Sequence, residues 1–260
     1  MSAPAEVRDW QSFFSHDEYP RLVSAILTEE RTRAEVAGLR ERLALGPGVR
    51  VLDLGCGQGR IAVPLARLGC AVTGLDGCAP LLDRARRAAA QAGVEIELIH
   101  ADMADLDRVD EFDVVLNLGT AFGYAAESGH EPTLRAAARA LRPGGTLLLD
   151  TENRERMVRS PRAIAFERDG TTVHCERSFD LVSSRWTESL SWVHDGRAEH
   201  ASYSLRLYTA TELITALAAA GFDPAVEAWG DLAGHPYALD SLRMVLRAAR
   251  NGEIGPGRTA

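Results

Sequence analysis

The chain has 260 residues, 46% apolar and 25% charged, the composition of one generous globular domain or of a core with an elaboration. Its formal net charge is −8 and all 29 basic residues are arginine, which excludes lysine Schiff bases and P-loop phosphate binding and speaks against a nucleic-acid partner. No run approaches the roughly 20 apolar residues of a membrane span, and no basic-then-apolar leader opens the chain, so no membrane role and a cytoplasmic location are expected.

The first 45 residues read as amphipathic helices lying over the carboxyl edge of a sheet, as a lid. From 46 to 250 short apolar runs alternate with Ala/Leu/Arg-rich helical stretches. The runs are "RVLDLG" (50–55), "AVTGLD" (71–76), "EIELIH" (95–100), "FDVVLNLG" (112–119) and "GTLLLD" (145–150); helices fall at 60–69, 79–93 and 131–145. This alternation predicts a parallel sheet covered on both faces. Gly69, Gly93 and Gly144 stand where helix C-caps belong, and Pro143 helps to stop the third helix.

After Asp150 the texture changes. Asp-Gly pairs at 169–170 and 195–196, each between alternating residues, predict hairpins in an antiparallel elaboration of three or four strands over 157–208. Alternation puts Trp186, Glu188, Leu190 and Trp192 on one face, with Tyr203, Leu205 and Leu207 opposite Arg206 and Tyr208 on the last strand. A helix at 209–221, capped by Thr209 or Thr211, and strands near 225–230 and 243–250 complete the core, and 251–260 reads as a frayed tail. The four cysteines form no CxxC pair, so no metal site or disulfide framework is expected.

The glycines of "VLDLGCGQGR" (51–60) ask for a ligand close to the backbone. A P-loop lacks its lysine, and Arg60 stands where a dinucleotide fingerprint has its third glycine. What stands instead is Asp53 inside the strand, then Gly55, Gly57 and Gly59. Asp76 ends the second strand, Asp102-Met103 follows the third, "NLGTAFGY" follows the fourth and "LRPGG" precedes the fifth. Together, in order and spacing over about 49–150, these motifs resemble the class I S-adenosylmethionine-dependent methyltransferases. With the N-terminal segment and the meander, the chain looks like the bacterial small-molecule, natural-product branch of that family.

The resemblance implies a Rossmann-like, seven-stranded, mostly parallel sheet with N-terminal lid helices and an antiparallel meander, and S-adenosyl-L-methionine as cofactor. Gly55, Gly57 and Gly59 would let its methionine part lie against the backbone, with Asp53 ordering the turn. Asp76 would accept the ribose hydroxyls. Asp102 would accept the adenine amine, while the Met103 N–H donates to the ring. Asn117 or Leu118 would offer a carbonyl to the amino group. Arg31 would pair with the carboxylate or merely with Glu35.

Ligands of open α/β sheets sit outside the carboxyl strand ends, so the acceptor is expected beyond the fourth and fifth strands. Phe122, Asn153 and Arg154 are expected to contact it, with Tyr124 and Glu152 placed for proton handling. Arg206 and Tyr208 would reach it from the meander, and Phe14 and Tyr19 would close over the sulfonium. "NLGT" differs from the [DN]PP[FY] of enzymes that methylate nucleobase or glutamine amines. The expected activity is methyl transfer to a small molecule by a monomer or homodimer. The acceptor would be aromatic or indole-containing, such as C3 of a tryptophan-derived cyclic dipeptide; other O- or N-acceptors, and a non-catalytic cofactor binder, are the alternatives.

Overall fold

The computed structural model describes residues 9–124 and 130–252; most of the tail expected to fray lies outside them. Five parallel strands form the centre of the main sheet: β1 (Arg50–Leu54), β2 (Ala71–Asp76), β3 (Glu97–His100), β4 (Phe112–Asn117) and β5 (Leu141–Glu152). Near the C-terminus, β11 (Arg243–Ala249) joins β5 antiparallel and β10 (Glu227–Trp229) pairs antiparallel with β11, giving the order β10-β11-β5-β4-β1-β2-β3. The strands that a parallel sheet buries on both sides are the apolar runs of the sequence. Val51, Val72, Val114, Leu116, Leu148 and Val245 pack on one face; Leu52, Leu54, Leu75, Val115, Leu149 and Leu246 pack on the other.

Helices cover both faces. On the first lie α3 (Glu29–Leu43) and α4 (Ala62–Arg67). The second is covered by α6 (His130–Ala140) and α8 (Ala210–Ala219), the latter opened by a full Thr209/Glu212 capping box. Helix α5 (Ala79–Ala92) links β2 to β3 and ends in a left-handed Gly93. The C-cap expected at Gly144 is corrected: α6 stops at Ala140, and Gly144 lies in the lead-in of β5, where its N–H bonds the Arg250 carbonyl. Asp110 and Glu111 N–H groups take the last carbonyls of α6 instead. The N-terminal reading divides. Short helices α1 (Asp9–Ser15) and α2 (Tyr19–Val23) join the meander side. Helix α3 packs on one face, where Val36, Leu39 and Leu43 bury against Val51, Ile61 and Leu65, while Thr32 and Glu35 in its first turns reach Arg60 in the turn after β1, at the carboxyl edge.

After a short α7 (Arg154–Met157), the elaboration is a separate four-stranded antiparallel sheet of β6 (Ala163–Arg168), β7 (Thr171–Asp180), β8 (Arg185–His194) and β9 (Arg197–Arg206). Both Asp-Gly turns have two successive positive φ angles, 47° and 74° at Asp169-Gly170 and 49° and 74° at Asp195-Gly196. That is the primed geometry whose twist matches the flanking strands. Its inner face packs on α1, α2 and the start of α5, burying Val173, Cys175, Leu190, Trp192 and Ala201 against Phe13, Tyr19, Leu22 and Leu81. Among the described residues no helix is long and apolar enough to cross a membrane, and no acid, histidine or cysteine cluster could hold a metal. All four cysteines are buried and free.

Where β4 and β5 end and β11 begins, one guanidinium joins them. Arg243 Nε donates to Asp150 Oδ1 at 2.7 Å, Nη2 donates to Thr120 Oγ1 at 2.9 Å, and Nη1 pairs with Glu152. The Asp150 carboxylate in turn accepts from Gly119 N–H at 2.9 Å. Removing one partner from such a buried pair strands the others without compensation. Arg243→Ala is therefore expected to lose about 3–5 kcal/mol of folding free energy, read as a shifted urea midpoint at unchanged slope.

Candidate cofactor and acceptor site

The site grows from the turn after β1. Gly55 and Gly57 have φ of 80° and 53°, values that side chains rarely adopt. A Cβ on Gly55 would stand 2.5 Å from the Ala121 Cβ, so the β1 and β4 turns touch there. The N–H groups of Gly55 and Cys56 are spent on the Leu75 carbonyl, and that of Gly57 donates to Asp76 Oδ2 at 2.8 Å. The other Asp76 oxygen accepts from Cys78 N–H, also at 2.8 Å. One carboxylate thus ties the turns after β1 and β2 and retains lone pairs for further donors. Burial pushes the Asp76 carboxyl up, while its two backbone donors oppose that shift.

Asn117 ends β4. Its amide donates to the Leu54 carbonyl at 3.0 Å and lies 3.2 Å from Met103 Sδ. Its buried Oδ1 has no partner among the described residues, an acceptor suited to an ammonium. Beside it on β1, Asp53 is 3% exposed. Burial pushes its carboxyl up to about 7, with Asp76 adding to this and Arg60 opposing it. A glycine turn, a carboxylate, and an orphaned buried oxygen at three neighbouring strand ends fit the methionine and ribose parts of S-adenosylmethionine.

The remaining cofactor candidates are more mixed. Asp102 is exposed, and its Oδ1 caps the short 3₁₀ turn Met103–Asp105 by accepting from Ala104 N–H at 2.9 Å. Leu118 is buried, and its carbonyl accepts from Ala121 N–H at 3.4 Å. Gly59 packs on Ala85, where a Cβ would come within 3.2 Å of the Ala85 methyl. Arg31 takes the second of its two expected pairings, donating to Glu35 at 2.7 Å. Glu35 also binds Arg60, which sequence reasoning noticed only as a missing glycine.

On the acceptor side the structure brings some candidates together and separates others. Phe14 stands edge-on to Tyr19 and Tyr124, with ring centroids 5.2 and 5.1 Å apart. Burial, with Asp76 nearby, pushes the Tyr19 phenol up to about 12; burial raises Tyr124 further, so both keep their protons at neutral pH. Glu152 is held by Arg243.

Phe122 is displaced from its expected role. The 3₁₀ turn Ala121–Tyr124 rotates about 120° per residue. Tyr124 therefore reaches the cleft, while Phe122, 1% exposed, enters the core beneath it. Tyr208 is buried against Phe122 and His130 in the same core. Asn153 is fully buried as the N-cap of α7 and donates to the carbonyls of Ala238, Leu239 and Ser241, latching that loop. Arg154 stacks over Phe179, and Arg206 lies over Tyr208 while pairing with Glu212.

Sequence reasoning missed three participants. Arg243 gave no motif, only an arginine at the head of an apolar strand. Tyr203 packs beside Tyr124, at 5.9 Å between centroids. Trp10 packs over Gly77, next to Asp76, where a glycine Cβ would be 2.8 Å from the indole; a small residue directly after an acidic strand end was the available signal.

The sheet order and the residues at its strand ends define an α/β protein with a site that fits a nucleoside-bearing cofactor. Residues 51–145 match the family model described as "Methyltransferase domain". A ubiquinone biosynthesis O-methyltransferase of Cereibacter sphaeroides is 30% identical over 178 residues, 68% of this chain and 61% of that protein. The protein of that name from Ruegeria pomeroyi is 41% identical over 108 residues, of whose length the chain spans 42%. The chain thus spans less than two thirds of these curated relatives. Among solved structures, the CcbJ methyltransferase of Streptomyces caelestis shares the fold, with TM-score 0.78 and 21% identity over 93% of this chain and 99% of that one. CalS10, an amino pentose methyltransferase of Micromonospora echinaspora solved with S-adenosylmethionine bound, is 25% identical with TM-score 0.66, covering 85% and 94%. Residues 51–145 thus resemble a methyltransferase domain, and the fold is that of solved methyltransferases, one of them with S-adenosylmethionine bound, a cofactor that the glycine turn, Asp76 and Asn117 fit.

Asp76→Ala is expected to weaken S-adenosylhomocysteine binding at least about tenfold, since charge-assisted hydrogen bonds are worth about 1.5–3 kcal/mol each. Calorimetry on a variant of native circular dichroism measures this, and a loss below about threefold would make Asp76 a tie between turns and nothing more. Asp53 has a pH signature. Its folded carboxyl titrates near 7 and its unfolded one near 3.9, so the folded state binds the extra proton between them. Wild-type stability should fall as pH rises through that window, by up to about 1.4 kcal/mol per unit, and level off above it. Urea midpoints of Asp53→Asn, compared with wild type at several pH values, should lack that slope.

Proposed function

We propose that the protein transfers a methyl group from S-adenosylmethionine to a small, flat, neutral acceptor bound between the carboxyl edge of the main sheet and the inner face of the meander. The observation that carries this reading is the convergence of Phe14, Tyr19, Tyr124 and Tyr203 beside Asp76. Of the two carboxylates near Tyr124, Glu188 pairs with Arg177, while Glu152 shares Arg243 with Asp150. An aromatic wall beside acids suits an uncharged ring better than a phosphate.

The cofactor supplies an activated methyl and a neutral thioether leaving group. What this chain contributes is alignment of the acceptor, a boundary against water, and hydrogen bonds that orient it. Tyr124, protonated at neutral pH, serves as a donor toward the acceptor. Within this reading, the indole of a tryptophan-derived cyclic dipeptide is a candidate acceptor, and assembly of a natural product is the setting. A second reading, transfer to a hydroxyl or amine of another metabolite, is favoured by the names of the relatives.

Purified protein is to be incubated with methyl-labelled S-adenosylmethionine and three acceptors: a tryptophan-containing cyclic dipeptide, a catechol and an amino sugar. The expected product is an aromatic acceptor one methyl heavier. Label on the amino sugar alone would favour the second reading. Tight S-adenosylhomocysteine binding without transfer to any acceptor would count against catalysis.

A further inference from the structure

The inner face of the meander carries three cross-strand rows in register. Cys175–Leu190–Ala201 and Phe179–Trp186–Leu205 are apolar; between them lies Arg177–Glu188–Tyr203. The apolar rows belong to two separate clusters, one with α1 and α2 and one with Tyr124 and Met157. The polar row therefore runs along the seam between them. Glu188 is buried, and its oxygens accept from two strong donors, with the Cys175 thiol 3.6 Å from Oε2 and Arg177 as its ion-pair partner. Tyr203 Oη donates to Oε2 at 2.7 Å, Trp186 Nε1 donates to Oε1 at 3.1 Å, and Arg177 Nε stands 3.0 Å from Oε1. Apolar residues of similar volume would hold such a face at least as well as a buried ion pair, so stability does not account for the row.

Its consequence is chemical. A phenol has one proton and two lone pairs. With that proton committed to Glu188, Tyr203 can offer a ligand only lone pairs. The ring is fixed against Phe13, 4.8 Å between centroids, and tilted against Tyr124, 5.9 Å between centroids. Burial, with Glu188 adjacent, raises the Tyr203 phenol well above its ordinary range, which keeps the donated proton in place.

We propose that Tyr203 is a specificity-determining contact for the acceptor and that Glu188 is its positioning residue, so that the site selects flat aromatic molecules bearing an N–H or O–H donor. This deepens the function proposed above and rests on that placement of the acceptor. Glu188 acts through Tyr203: both of its oxygens already accept a hydrogen bond, so its part is orientation.

The test uses matched probes on the full chain saturated with S-adenosylhomocysteine. Indole and N-methylindole differ by one donor, as do phenol and anisole, and calorimetry reads each Kd. Wild type is expected to bind the donor-bearing member at least about tenfold more tightly. Tyr203→Phe should bring the two members of each pair within about twofold and leave S-adenosylhomocysteine affinity in place. Glu188→Gln keeps an oxygen for the Tyr203 hydroxyl and should retain most of the preference, whereas Glu188→Ala frees the hydroxyl to turn and should lose it. A purely structural role would not produce that rescue. Equal affinity within a pair in wild type, no saturable binding of any probe, or a preference that survives Tyr203→Phe would each overturn the inference and leave the cofactor assignment standing. Failure of wild type to bind S-adenosylhomocysteine would overturn the methyltransferase reading, and the inference with it.

Discussion

The carboxyl edge of the main sheet is organised by one buried cation. Arg243 belongs to β11, the only strand that enters antiparallel beside β5, and its direction brings the start of β11 to the ends of the parallel strands. There it pairs with both Asp150 and Glu152, one positive charge shared between two carboxylates, and holds the Thr120 hydroxyl. Thr120 has a φ of 69°, an unfavourable value for a β-branched residue. The contacts that hold this strain are its N–H bond to the Asp150 carbonyl and the Arg243 contact. The turn they maintain sends Phe122 inward and Tyr124 outward, so the aromatic wall of the cleft depends on an arginine more than a hundred residues away.

Buried acids recur around the cleft, and each is compensated differently. Asp76 is met by backbone N–H groups, which are rigid and already part of the fold. Asp150 and Glu188 are met by arginines whose other donors reach further groups. Asp53 has only the more distant Arg60 field to offset its burial, which is why its carboxyl rises so far. A group in that state responds to the arrival of a positive charge, whereas Asp76 and Glu188 are set to orient what touches them.

The N-terminal helices connect the two halves of the site. Trp10 lies against the turn beside Asp76, while Phe13 stacks on Tyr203 and His16 on Trp192. A single short helix therefore contacts both the cofactor side and the meander. Displacing α1 would uncover the turn beside Asp76 and the Tyr203 ring in the same motion.

Much of the cofactor half was legible in the chain, because its signals are local. Asp53, the glycine turn, Asp76 and Asp102-Met103 each sit at the end of an apolar run, and a β-α-β unit brings such ends together whatever the rest of the fold does. The Asp-Gly hairpins and the Thr209 cap are equally local: two positive φ angles or one side-chain bond decide them. The acceptor half was not legible in this way. Phe122, Asn153 and Tyr208 stand near the right strand ends, yet a rotation of two residues or a loop returning from Ala238 buries each of them. The pairing of Arg243 with Asp150, and of Arg177 with Glu188 and Tyr203, depends on strand order and register between distant segments. Sequence alone determined the cofactor cleft, since backbone geometry at strand ends is encoded where it occurs. Tertiary structure decided which side chains gather around Tyr124, since a buried charge acquires its partner only when distant strands come into register.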